Sequence, residues 1–184
     1  MITIKSNRFG SIEVNEDRII TFKDGVLGFP ELRKFILADD PHDISLPFKW
    51  LISMDNPDLA FLVTDPGIFF KDYVFDLPEE DRQKISATTE DDVSVIVVLT
   101  VPSDPKKITA NLRGPLVINW RTLVGRNIVL KDTHFTTKHY IFIQSDSETK
   151  SQSESKQVSV SEGFTAAAAG VNATTQAAKT TPNA

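Results

Sequence analysis

Cysteine is absent from this chain of 184 residues. Its absence excludes a disulfide framework, thiolate metal sites and a cysteine nucleophile, and it fits a reducing compartment. Long apolar runs are also missing. None approaches the roughly 18 residues of a membrane-spanning helix, and the opening MITIKSNRFG lacks the apolar centre of a signal peptide. A soluble, cytoplasmic protein with no membrane association is therefore expected. Basic clusters are lacking too: net charge is −5 and the isoelectric point is near 5.2. Nucleic-acid binding draws on basic side chains that release counterions from phosphate, so no direct RNA or DNA contact is expected, and an RNA-binding barrel is disfavoured. An acidic surface favours basic protein partners instead.

The chemistry of catalysis is equally sparse. There is no GxSxG elbow, no GxxxxGK[ST] loop and no HExxH helix. The three histidines, His42, His134 and His139, make no ligand spacing. Asp39, Asp40, His42 and Asp43 share a polar connection from Asp39 to Pro47, but the calcium-loop pattern is absent and a solvated loop is the simpler reading. Carboxylate pairs that meet only in space leave no sequence trace. A barrel enzyme or small-ligand carrier therefore stays as a rival, but no catalytic residue, cofactor or metal site is assigned. The chain reads as a non-enzyme.

What is present is a series of short alternating or β-branched runs. Met1–Lys5 and Ser11–Val14 flank a turn at Phe9-Gly10, and Arg18–Phe22 follows. Val26–Pro30 is a packed loop, and Pro30–Lys34 is read as one helical turn. Phe35–Ala38 and Phe48–Met54 are further strands. The second of these forms a hairpin with Leu59–Val63 across Asp55-Asn56-Pro57-Asp58. Leu77–Ile85, with proline and acids at its start and bases toward its end, is the one short helix. Val93–Val101 reads as a central strand buried on both faces. Ile108–Arg113, Pro115–Trp120, Arg126–Leu130 and His139–Ile143 complete the set, with a turn around Val124-Gly125. Short strands at this spacing predict an all-β fold, mainly antiparallel, as a small barrel or sandwich. The domain is placed at residues 1–144. Residues 145–184 are rich in Ser, Ala and Thr and have little to bury, so a disordered tail is expected there. Asn172-Ala173-Thr174 fits a glycosylation triplet but has no secretory context.

The chain is organised around Leu59–Asp76, LAFLVTDPGIFFKDYVFD. An apolar strand is stopped by Thr64-Asp65-Pro66-Gly67. Phe69, Phe70, Tyr73 and Phe75 then follow, interspersed with Lys71, Asp72 and Asp76. One strand face cannot bury all four rings, because successive side chains point to opposite faces. Aromatic anchors ringed by carboxylates have the composition of a protein-binding patch. The competing reading makes each ring ordinary core.

Several long blocks, in order, resemble the FliW family of flagellar assembly factors. They are ITFKDGVLGFPELRKFIL from Ile20, PDLAFLVTDPGIFFKDYVFDLPEED from Pro57, KITANLRGPLVIN from Lys107 and VGRNIVLKDTHFTTKHYI from Val124. The tail departs from the family pattern. The resemblance implies a β-barrel-like protein without catalytic activity or cofactor, and with two protein partners. These are flagellin and CsrA, a dimeric repressor of flagellin mRNA translation. Flagellin that accumulates would occupy the protein and free CsrA to repress. Export of flagellin would release the protein to antagonise CsrA. A dedicated flagellin chaperone without CsrA antagonism is the alternative within this reading. The expected contact residues are Phe70, Asp72, Tyr73 and Asp76, with Asn111 from the adjacent motif; otherwise Phe70 and Tyr73 are core and Asn111 caps a turn.

Overall fold

The structure is a computed structural model that describes residues 1–40, 43–89, 92–131 and 133–142. His42 of the acidic loop, Ile143 of the last expected strand and the whole expected tail lie outside the described residues. The described residues gather into two compact units, a larger one of Met1–Thr100 with Ala110–His139 and a smaller one of Val101–Thr109 with residues 140–142.

In the larger unit, β1 (Ile2–Ser6) and β2 (Gly10–Val14) form an antiparallel hairpin in which Ser6 opposes Gly10. Gly10 sits at φ +70°, a conformation that glycine adopts without the Cβ penalty. The hairpin tip is fastened to the rest of the unit by Asp58, whose carboxylate accepts from the Asn7 backbone and side-chain N–H groups, both at 2.7 Å.

Seven further strands close a barrel. β3 (Ile20–Phe22), β4 (Lys34–Asp39), β5 (Lys49–Ser53), β6 (Ala60–Thr64) and β7 (Val93–Thr100) pair antiparallel in chain order. β7 also pairs with β9 (Leu116–Asn119), β9 with β10 (Val124–Asn127), and β10 returns to β3 in parallel. The barrel thus resolves the choice between barrel and sandwich. Inward positions carry the core: Ile20, Phe22, Phe35, Leu51, Val63, Leu116 and Ile118 are each at most 1% exposed. Alternation in β3, where Ile20 and Phe22 are buried and Thr21 is not, follows from the two-residue period of a strand. The only α-helix among the described residues, α1 (Glu79–Lys84), follows three acidic residues with two basic ones, as the helix dipole favours.

Several expectations are corrected in detail. Pro30–Lys34 forms no helix; a Leu32 N–H bond to Phe29 O at 3.3 Å closes a turn there, and β4 starts at Lys34. Arg18 ends a 3-10 turn, Glu16–Arg18, and is not in the strand. Val124-Gly125 lies within β10, because the turn comes earlier, with Leu123 at φ +53°. β7 is central, but Val93, Ser94, Val95 and Val98 are only half-buried.

β10 approaches β3 so closely that glycine is required at one point. A Cβ on Gly125 would stand 2.6 Å from the Phe22 ring, which is buried and edge-on to Phe35 with centroids 5.5 Å apart. Gly125→Ala is expected to destabilise by about 1–3 kcal/mol, the usual range for overpacking. An unchanged thermal midpoint would mean that the ring has room to move.

Just before β7, Asp92 is buried. Its carboxylate accepts from Thr88 Oγ1 at 3.0 Å and from the Thr89 N–H at 3.3 Å, and it faces the Arg121 guanidinium. Burial pushes its pKa up most strongly of any single influence, but the hydrogen bonds and the Arg121 charge together outweigh it and hold the group below its ordinary value. A carboxylate with a lowered folded pKa contributes stability above the unfolded value and loses it as pH falls through the folded one. Acid titration of stability should therefore be shallower for Asp92→Asn than for the parent as pH falls below the ordinary aspartate range. Parallel curves would show that this carboxylate does not couple folding to protons.

In the smaller unit, Asp104 accepts from the Lys106 N–H at 3.0 Å and opens a 3-10 turn, Pro105–Lys107, while the Ile141 N–H bonds Ile108 O at 3.1 Å. The two-residue strands β8 (Thr109–Ala110) and β11 (His139–Tyr140) lie where the units divide.

Candidate functional site

Thr64-Asp65-Pro66-Gly67 ends β6 as its residues predict. Asp65 Oδ1 accepts from the Gly67 N–H at 2.8 Å, and Pro66 opens a 3-10 turn, Pro66–Ile68. The chain from Phe70 to Pro78 is then irregular. Phe69, Phe70, Tyr73 and Phe75 are all half-buried, so the choice between core and surface does not divide them. Phe69 stacks on Phe48 with centroids 5.9 Å apart, and Phe70 meets His139 edge-on at 6.1 Å. Tyr73 leans on Phe135 at 4.6 Å and on Phe75 at 5.6 Å. Phe70, Tyr73 and Phe75 thus join His139 and Phe135 in a chain of rings, the aromatic layer of this stretch.

One side-chain hydrogen bond fastens Tyr73 in this stretch. Tyr73 Oη donates to the Leu112 carbonyl at 2.7 Å, and burial pushes the phenol well above its ordinary pKa, so it remains a donor. Asn111 is adjacent, and its side chain is engaged: Oδ1 accepts from the Gly114 N–H at 3.0 Å and closes the turn that presents the Leu112 carbonyl. Its backbone N–H bonds Val98 O at 2.9 Å. Asp72 and Asp76 are exposed. The five expected residues therefore differ in position: two half-buried rings, two outward carboxylates and one turn cap beneath them. Tyr73→Phe should cost about 1 kcal/mol, the net value of one hydrogen bond, with the fold retained. An unshifted urea midpoint would show that the Leu112 contact adds nothing.

Two grooves mark the larger unit. One, about 580 Å³, lies between residues 65–67 and 73–77 and the start of β7, with Asp65, Asp76 and Arg82 in its lining and Val74 77% exposed beside it. Sequence reasoning missed Val74, Arg82 and the β7 edge; only the proline that ends β6 hinted at a gap. The other, about 620 Å³, lies under Leu27 and Val129, and its Arg126 is held by both Asp24 and Asp81. That pairing leaves the guanidinium committed to carboxylates of the chain itself. Among the described residues no group of three or more His, Asp or Glu is gathered as a metal site, and no helix is long and apolar enough to cross a membrane.

Comparison with known proteins matches residues 3–141 to the family described as FliW protein. A flagellar assembly factor FliW from Geobacter sulfurreducens is 41% identical over 143 residues, covering 78% of this chain and 88% of the relative. One from Alkaliphilus metalliredigens is 36% identical over 156 residues, covering 85% and 94%. A crystal structure of the flagellar assembly factor FliW superposes with a TM-score of 0.72 at 34% identity, over 78% of this chain and 99% of that one. Family match, relatives of nearly full length and a shared barrel agree, and the chain belongs to the FliW family of flagellar assembly factors.

Proposed function

We propose that this chain works in the cytoplasm as a non-catalytic partner switch, binding flagellin and antagonising CsrA by exchange between the two. The observation that carries the reading is the layer of Phe70 and Tyr73, pinned by the 2.7 Å bond to Leu112, with Asp72 and Asp76 exposed on the same stretch. Rings held in place lose little freedom on binding, and neighbouring carboxylates favour a basic partner through on-rate and specificity. Exchange requires only that the two partners exclude each other on overlapping or coupled surfaces. No chemical step is invoked.

Calorimetric titration of the full chain tests it, with CsrA, with flagellin from the same cell and with both in competition. Binding of each, with flagellin displacing CsrA, is the expected result. Binding of flagellin alone would reduce the protein to a flagellin chaperone, and simultaneous binding of both would rule out exchange.

A further inference from the structure

The two edges of β7 are treated differently. Along one, Val93–Ile96 pairs with residues 119–116 of β9. Along the other, β6 pairs Val63 with Val98 and Thr64 with Val97, and then stops. Continued in register, residues 65–68 would oppose residues 96–93, but the local chemistry prevents it. Pro66 has no N–H to give. The Gly67 N–H is taken by the Asp65 side chain, and those of Ile68, Phe69 and Phe70 turn back to the carbonyls of Asp65 and Pro66. The N–H groups of residues 67–70 are thus turned back on their own loop rather than toward residues 93–95. Alternate strand residues direct both N–H and C=O to the same edge. The Trp120 N–H bond to Asp92 O commits Asp92, Ser94 and Ile96 to β9, so Val93 and Val95 present the unpaired ladder groups on the side of the groove of about 580 Å³.

We propose that the open edge of β7 at Val93–Val95 is a strand-addition site for an extended segment of a protein partner bearing basic side chains. An unpaired edge is satisfied by another backbone at ladder spacing, which selects an extended chain over a helix. Val93, Val95, Val74 and Phe75 line the groove and offer apolar contact to the side chains of an added strand. Asp65 and Asp76 set the sign of the charge, while Arg82 faces Glu79 at 3.8 Å. The proposal rests on the partner-binding reading above, because Tyr73 and Asp76 belong to both.

The probe is a capped peptide of alternating lysine and valine, roughly six residues long to span the edge, titrated into the isotopically labelled full chain. The amide signals of Val93, Ser94 and Val95 should move. Methylating alternate backbone nitrogens of the peptide should weaken binding by roughly tenfold or more, because the ladder cannot form. Equal binding of the methylated peptide, or shifts confined to other residues, would overturn strand addition and leave charge attraction only. Val93 and Val95 amides that exchange slowly in the free chain would identify a segment of this chain as the occupant, whereas the Ser94 amide faces β9 and is protected in any case. Protection that grows with protein concentration would identify a second copy; either result overturns the proposal. Asp76→Lys should weaken the peptide and the two partners together. Partners lost without any peptide response at β7 would remove the edge and keep the switch; partners unaffected would remove Asp76 from the switch itself.

Discussion

Asn119→Asp is expected to destabilise the protein by about 3–5 kcal/mol, as breaking a buried hydrogen-bond network does. Asn119 is 1% exposed and uses both ends of its amide. Nδ2 donates to the carbonyls of Ile85 and Ser86, each at 3.0 Å, and Oδ1 accepts from the N–H groups of Arg121 at 2.9 Å and Thr122 at 3.3 Å. One side chain therefore ties the end of α1 to β9 and closes the turn into β10. Both tied segments are in unfavourable local conformations, with Ser86 at φ +57° and Leu123 at φ +53°. In the variant an oxygen replaces the donor and faces two carbonyls. Ionised, it is repelled by both; protonated, it has one proton for two acceptors. Burial raises the pKa of such an acid, so the deficit relative to the parent should narrow as pH falls and the group is neutralised. Thermal or urea unfolding at neutral and mildly acidic pH measures both effects. A midpoint matching the parent would mean that the α1 end is held by its other contacts alone.

Nothing in the sequence singles out Asn119, which reads as the last residue but one of the run PLVINW. Local patterning reports what lies within a few residues: the hairpin of β5 and β6 is legible because apolar alternation flanks Asp55-Asn56-Pro57-Asp58. Barrel closure is not legible. It depends on the parallel match of Val124 with Thr21 and Gly125 with Phe22, residues about a hundred positions apart, and a pairing across that distance leaves no periodic trace. The placement of β10 fails for a related reason. Arg126–Leu130 is the more apolar run, but the turn at Leu123, held by Asn119, starts the strand earlier. At the candidate site the chemistry of LAFLVTDPGIFFKDYVFD is legible and its geometry is not. The ring of Tyr73 is set by Phe135 and its hydroxyl by Leu112, and neither partner belongs to the stretch. Asn111, grouped with the patch on sequence grounds, caps the turn that positions Leu112.

That separation of roles predicts how charge reversal will act. Asp72→Lys together with Asp76→Lys should weaken CsrA binding by roughly tenfold or more, chiefly through slower association. Both side chains are exposed, and the Val74 N–H bond to Asp72 at 3.0 Å uses the Asp72 backbone carbonyl, so it survives substitution. The unfolding midpoint should therefore stay within about 0.5 kcal/mol of the parent, as surface changes usually do. Because exposed charges are screened, the difference between variant and parent should shrink as salt is raised. A matched control places the same two reversals at Glu13 and Asp17, exposed residues on β2 and in the 3-10 turn after it. This changes net charge equally and leaves the aromatic layer alone. Local action requires the control to bind as the parent does. Equal weakening by both variants would mean that only the overall negative field matters, and no effect from either would take the two carboxylates out of the CsrA contact. If flagellin shares the patch, its affinity should fall in the same double variant, and displacement of CsrA by flagellin should fail with it. If flagellin binding is untouched while CsrA is lost, the exchange must run through coupled rather than overlapping surfaces.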